Sequence, residues 1–331
     1  MPTDTLPRST PPESYERSGQ FQRWGGLLLL LGVVWLVFEL TSRDSFVGFD
    51  FVQRSADVPS QSFTATHLVV RAASDSITLE HAKDDQVTVA AVRHGFGWDT
   101  DTALASLNAI DVQIDQQGDT LQVEVRRSGL AGLAGRSPFV DLRISVPTET
   151  VLDVQTVSGS LHASGLQASG SLSTVSGAIT LDDIGGDLTV GTTSGDVQIS
   201  RARAGLHVET VSGDVRLAEA DGALRAHTIS GDLDLQSLRD VQIDLETTSG
   251  DVQASGALAG QISTISGDVQ LRLPDASDLK LIITTVSGDL SSDLDLREAQ
   301  RARRSLSGSL GAGEEALTIS TTSGDVVVDG E

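Results

Sequence analysis

From Thr156 onward the chain repeats one pattern of apolar and polar positions about every 18 residues. Threonine, then Val, Ile or Thr, then Ser-Gly recurs nine times, with serines at Ser158, Ser176, Ser194, Ser212, Ser230, Ser249, Ser266, Ser287 and Ser323. The gaps are 18, 18, 18, 18, 19, 17, 21 and 36, and the last, twice 18, predicts a coil near residue 305 that has lost the phrase. Six and four residues before each serine stand apolar pairs such as Leu188/Val190, Leu206/Val208 and Leu317/Ile319. Three and five residues after it stand pairs such as Val197/Ile199, Val215/Leu217 and Val326/Val328. A spacing of two places both side chains on one face of a strand. Each period therefore holds at least two short strands separated by turns. One period cannot bury its own apolar face, but stacked periods can, pairing in parallel about 4.8 Å apart. The pattern predicts an all-β fold: a parallel β-solenoid over residues 151–331.

Upstream the same register is weaker. Leu68 and Val70 precede Ser74-Asp75-Ser76, then come Ile77 and Leu79. Beyond them the sequence predicts a short helix near Thr102–Leu107, a hairpin pairing Ile110, Val112 and Ile114 with Leu121, Val123 and Val125, and a strand at Val140–Val146. Residues 63–150 thus read as degenerate first coil(s) and a β segment capping the end of the solenoid, where strand edges would otherwise stand open. The stretch Leu296–Glu315, with Arg297, Arg301, Arg303 and Arg304, reads as a solvated loop or short helix, or as a docking patch.

Two polar columns run through the repeats. The first is Thr156, Thr174, Thr192, Thr210, Thr228, Thr247, Thr264, Thr285 and Thr321, in phase with the inward apolar pair. It predicts a structural ladder, with β-branched stacking and hydroxyls bonded from rung to rung. The second is Asp196, Asp214, Asp232, Asp251, Asp268, Asp289 and Asp325, with Ser160 and Ala178 in the first two copies. Such carboxylates serve either as hydrogen-bonded turn formers or as an edge loading hard cations such as Ca²⁺. The glycine between the columns is expected to supply the positive φ of a tight turn.

The N-terminus carries a different signal, the run WGGLLLLLGVVWLVFEL from Trp24 to Leu40, with no charge before Glu39. These 17 residues span roughly 25 Å as a helix, enough to cross a bilayer. A polar leader and the lack of an A-x-A-like site favour an uncleaved anchor over a signal peptide. The expected layout is a disordered leader at 1–23, a single transmembrane helix at 24–41 and a stalk at 42–62. Arg8, Arg17 and Arg23 before the span, against Arg43 and Arg54 after it, place the N-terminus in the cytoplasm of a bacterial cell and the solenoid outside its membrane. The net charge of −23 argues against nucleic acid as a partner, and the absence of cysteine removes disulfides, thiolate metal sites and a thiol nucleophile.

The strand VDLRISVP leading into LDVQTVSGSL, followed by repeated T-V-S-G-D-V units, resembles the bacterial DUF4097 family, which carries a provisional adhesin label. The resemblance covers roughly residues 60–331. It implies a β-solenoid at the cell envelope, sometimes joined to a membrane segment, with no established enzymatic activity. The residues agree: His67, His81, His94, His162, His207 and His227 occupy unrelated repeat positions, so the repeated serines have no general base in register. The expected function is a non-catalytic, adhesin-like binding module without cofactor, contacting protein or glycan. The alternatives are an envelope scaffold or stress-response partner working through self-association and, remotely, a polysaccharide-acting β-helix enzyme.

Overall fold

The structure is a computed structural model that describes residues 52–128, 137–274 and 277–330. The expected leader and transmembrane helix lie outside the described residues, among which no helix is long and apolar enough to cross a membrane. The described chain opens with β1 (Val52–Phe63), β2 (His67–Arg71), β3 (Ser76–His81), β4 (Val87–Gly97), helix α1 (Thr100–Asn108), β5 (Ile110–Gln117), β6 (Thr120–Arg127) and β7 (Phe139–Val146). Coils follow as β8 (Val151–Gln155), β9 (Leu161–Ser164), β10 (Gly170–Thr174), β11 (Ile179–Asp182), β12 (Leu188–Thr192), β13 (Val197–Ile199), β14 (Leu206–Thr210), β15 (Val215–Leu217) and β16 (Leu224–Thr228). Two longer strands, β17 (Leu233–Thr247) and β18 (Val252–Thr264), precede β19 (Val269–Leu273), β20 (Leu279–Thr285), β21 (Leu290–Ser292), β22 (Arg297–Ala302), β23 (Ser305–Ser309), β24 (Glu315–Thr321) and β25 (Val326–Gly330).

Two parallel ladders carry the fold. The first runs β6, β2, β8, β10, β12, β14, β16, the C-terminal halves of β17 and β18, β24 and β20. The second runs β7, β3, β9, β11, β13, β15, the N-terminal halves of β17 and β18, β19, β25 and β21. A third side is closed by single-residue parallel bridges, Ile184 to Ala202, Ala202 to Ala220 and Ala220 to Leu238. The coils from Ile184 to Leu238 are therefore three-sided, one side more than the apolar pairs require. The inward pairs meet in register, Leu188 beside Leu206 and Val197 beside Val215, and are fully buried. Burying each such side chain is worth about 1.5–3 kcal/mol, gained only when a neighbouring coil covers it.

The coils do not stack in sequence order at the C-terminal end. β24 lies between β18 and β20, and β25 between β19 and β21, so residues 315–330 form the penultimate rung and residues 279–292 the outer one. The coil expected near residue 305 does not exist. Instead β22 and β23 form an antiparallel hairpin, and β23 pairs antiparallel with β20. This also replaces the loop or short helix expected over Leu296–Glu315. The cause is the alternation of Leu306, Gly308 and Leu310, which has strand period and buries both leucines, with Leu294, over the open end of the core.

At the N-terminal end Leu68 pairs with Leu152 and Ile77 with Leu161, so β2 and β3 form a true coil. β6 and β7 add a further rung outside it, and β4, β5 and β1 close the ends antiparallel. Residues 52–62, expected as part of the stalk, are instead most of β1. Their backbone completes the edge of β4, although few of their side chains are covered. α1 packs on β4 where Gly95 and Gly97 leave no room for a Cβ. The Asp99 carboxylate caps the helix, held below the ordinary carboxylate range by the Thr102 backbone N–H and then the Thr102 hydroxyl.

One buried acid holds this end together. Asp75 is fully buried and accepts from the Arg127 guanidinium, from Val140 N–H at 2.8 Å and from Ala73 N–H at 3.3 Å, joining the β2–β3 turn to β6 and β7. Asp75→Ala leaves Arg127 without its partner and should cost about 3–5 kcal/mol of unfolding free energy in urea titration. A loss below about 1 kcal/mol would show that the pair does not secure the end.

Candidate binding surface

The repeated phrase forms the corner between the two ladders, and its residues divide cleanly by direction. Threonine and glycine point inward. All nine column threonines are buried, and in seven coils the threonine Oγ1 accepts from the backbone N–H of the glycine three residues on, at 2.9–3.3 Å. The bonds expected from rung to rung are few, Thr156 to Ala73 O and Thr174 to Val157 O among them. The column acts mainly within each turn, because Oγ1 already lies beside an amide that would otherwise be buried without an acceptor.

The glycine has a different role from the one expected. None of the glycines of the phrase has a positive φ. What excludes a side chain is the neighbouring coil: a Cβ on Gly195 would fall far inside van der Waals distance of the Gly177 carbonyl oxygen, one on Gly213 against Gly195, and one on Gly231 against Gly213. Each glycine thus makes room for the backbone of the rung before it.

The aspartates face outward and bond along the stack. Asp214 N–H donates to Asp196 Oδ1 at 3.2 Å, Asp232 to Asp214 at 3.2 Å, Asp251 to Asp232 at 3.0 Å and Asp268 to Asp251 at 2.9 Å. The chain of bonds continues from Asp325 to Asp268 and from Asp289 to Asp325, both at 2.8 Å, following spatial rather than sequence order. Among the described residues no cluster of three or more His, Cys, Asp or Glu is arranged to hold a metal ion. The aspartates are spaced one to a rung, each but the outermost, Asp289, offering an oxygen to the next rung's amide.

A third column, not singled out by the repeat pattern, lines the outside of the corner. The residue between threonine and serine points outward: Val157, Val175, Val211, Ile229, Ile265 and Val286 are 40–61% exposed, and Thr193, Thr248 and Thr322 complete the line. With the exposed serines beside it and the aspartates beyond, it makes an unbroken β-branched ridge along the corner. The signal was present in the sequence as simple alternation, since an inward threonine requires its neighbour to face water.

Among the described residues, serine, histidine and aspartate also meet once outside the repeats. Ser55 Oγ lies 2.9 Å from His94 Nδ1, and His94 Nε2 lies 3.0 Å from Asp141, with Phe139 stacked on the imidazole at 4.6 Å. Gln53 Nε2 donates to the same Nδ1 at 3.1 Å. The imidazole lone pair is therefore shared, and the group ties β1, β4 and β7 together across a sheet face.

The model of the family described as Toastrack DUF4097 matches residues 65–329. No curated protein matches the chain. Among solved structures, it is similar to a candidate adhesin from Bacteroides fragilis (11% identity, 83% of this chain and 97% of that one, TM-score 0.38). It is also similar to a candidate lipid binding protein from Parabacteroides distasonis (11% identity, 83% and 96%, TM-score 0.41).

The two inward columns respond differently to substitution. Gly231→Ala drives a methyl into the Gly213 carbonyl and should lower stability by about 3 kcal/mol or more. Thr228→Val keeps shape but leaves the Gly231 N–H unbonded, and should cost about 1–3 kcal/mol. Denaturant titration of both measures the order; a Gly231→Ala chain as stable as the parent would refute the close approach.

Proposed function

The chain belongs to the Toastrack DUF4097 family, and from that premise we propose that it is a membrane-anchored, non-catalytic binding module of the bacterial cell envelope that meets its partner along the corner ridge. The observation carrying this reading is the ridge itself. Six apolar side chains stay in water in consecutive or near-consecutive rungs, although threonine fits the same position in three others. Contiguous apolar surface rimmed by polar groups marks contact sites. The ridge bears no aromatic residue, which favours a protein partner over a sugar that would stack on rings.

Anchoring through residues 24–41 rests on the apolar run, and the outward orientation on the arginine bias across it. A non-catalytic role is supported by the corner, where serine hydroxyls repeat without a histidine beside them. The fitting experiment fuses a periplasm-dependent reporter after Glu331 and probes protease access in spheroplasts. An active reporter and a cleavable domain are expected; a silent reporter with a protected, folded domain overturns the envelope reading. On the same strain, a photo-crosslinker at Ile229 should trap a discrete partner, and Val211→Asp should abolish the adduct while leaving stability within about 0.5 kcal/mol. An adduct indifferent to Val211→Asp removes the ridge from the contact.

A further inference from the structure

The first ladder ends in two open edges of opposite charge. At the N-terminal end β5 hydrogen-bonds to β6 alone among the described strands, and its sequence IDVQIDQQ exposes Asp111 and Asp115. At the C-terminal end β22 hydrogen-bonds to β23 alone, and all six of its residues, REAQRA, are exposed, Arg297 and Arg301 among them. Arg303 and Arg304 occupy the turn that follows, also exposed. Of the sixteen arginines among the described residues, eight pair with a carboxylate and eight, these four among them, do not. Arg297 and Arg301 reach only backbone carbonyls, those of Gly311 at 3.3 Å and Ser292 at 3.0 Å. With Glu298 as its one acid, this edge is net basic on a chain of net charge −23.

We infer that these edges pair with each other between copies of this chain, so that β22 of one copy lies beside β5 of the next and the molecules join head to tail. Strand direction allows it. The coil strands of the first ladder all run one way, β23 runs against them, and β22 runs with them again. β5 runs against β6, and β6 is parallel to the coil strands. A second copy in the same orientation therefore offers an antiparallel β5 to β22, and the ladder continues without a reversal. The bulge sets Arg297 and Arg301 on opposite faces of β22, so the attraction to Asp111 and Asp115 is one of net edge charge rather than of directly facing pairs.

Charge also decides what is refused. Two β22 edges would bring like net charge together, Arg297, Arg301, Arg303 and Arg304 outnumbering Glu298, and two β5 edges aspartate against aspartate, so unlike edges are favoured. The second ladder is closed to such pairing: β21 has three residues, with Arg301 on its Ser292 carbonyl, and β1 is bulged between Val58 and Gln61 around Pro59. β22 is bulged between Arg297 and Gln300, which confines regular pairing to its second half and makes the contact small and dependent on charge. The contact is heterologous and does not close on itself, so it propagates. It uses neither ridge nor corner, and so stands whether or not the ridge binds a partner.

Sedimentation of the purified full chain in detergent micelles tests this. In low salt the mass should rise with protein concentration, and high salt should return it to the monomer. Arg297→Glu with Arg301→Glu should leave a monomer, as should Asp111→Arg with Asp115→Arg, each melting at the parent temperature. Mixing the two variants makes every edge complementary again and should restore the larger species. Val211→Asp, on the ridge, should assemble like the parent. The inference fails if the parent is monomeric throughout, if the charge reversals leave its association unchanged, or if the mixture does not recover it. Should either reversal fold poorly, all four substitutions combined in one chain restore complementary edges; that chain should assemble, and a monomer there would equally overturn the pairing.

Discussion

The fold depends on how closely the backbones of successive coils approach at the corner. There the carbonyl of one glycine occupies the space a Cβ of the next would need, from Gly177 through Gly267 and on to Gly324 and Gly288. That approach fixes the rest of the turn. It draws the glycine amide inward, away from water, so an acceptor must be supplied, and the threonine hydroxyl three residues earlier supplies it. It turns the next residue outward, where the aspartate carboxylate reaches the amide of the following rung. The phrase is thus one packing solution repeated, in which each residue answers a demand made by its neighbour.

Much of this was legible because a solenoid writes its contacts into sequence spacing. The apolar pairs, the parallel register and the buried threonines follow from a period of two within a period of about 18. The role of glycine was not legible, since tight-turn conformation and close approach both select the same residue, and only the distance between coils separates them. The order of the last rungs was hidden for a related reason. Periodicity says that Leu317 and Ile319 belong to a coil, but not which coils lie on either side of it. Asp75 sits where the glycine column would continue, and its burial depends on Arg127 and Val140, 52 and 65 positions away. No local pattern links those residues.

The candidate surface shows the converse. The ridge residues stand in the repeated phrase without an evident direction, although the alternation that places threonine inside places them outside. Residues that satisfy the turn are masked from solvent, whereas those the turn leaves free are available for contact. Each corner therefore separates structural from displayed chemistry within five consecutive residues.

The displaced rung at the C-terminal end also bears on how the protein is made. Residues 279–309 leave the ribosome before residues 315–330, yet they seat farther from the centre of the stack. Folding cannot simply follow synthesis coil by coil. When the outer coil and its hairpin emerge, the place beside β18 and β19 must stay vacant, or be held by a mispaired strand that later yields. The last strands then enter a slot whose two walls are already built, and their arrival converts two unfinished surfaces into interior at once. A chain cut short within its final segment would lack the piece that locks the others, so this end of the solenoid reports whether translation ran through it.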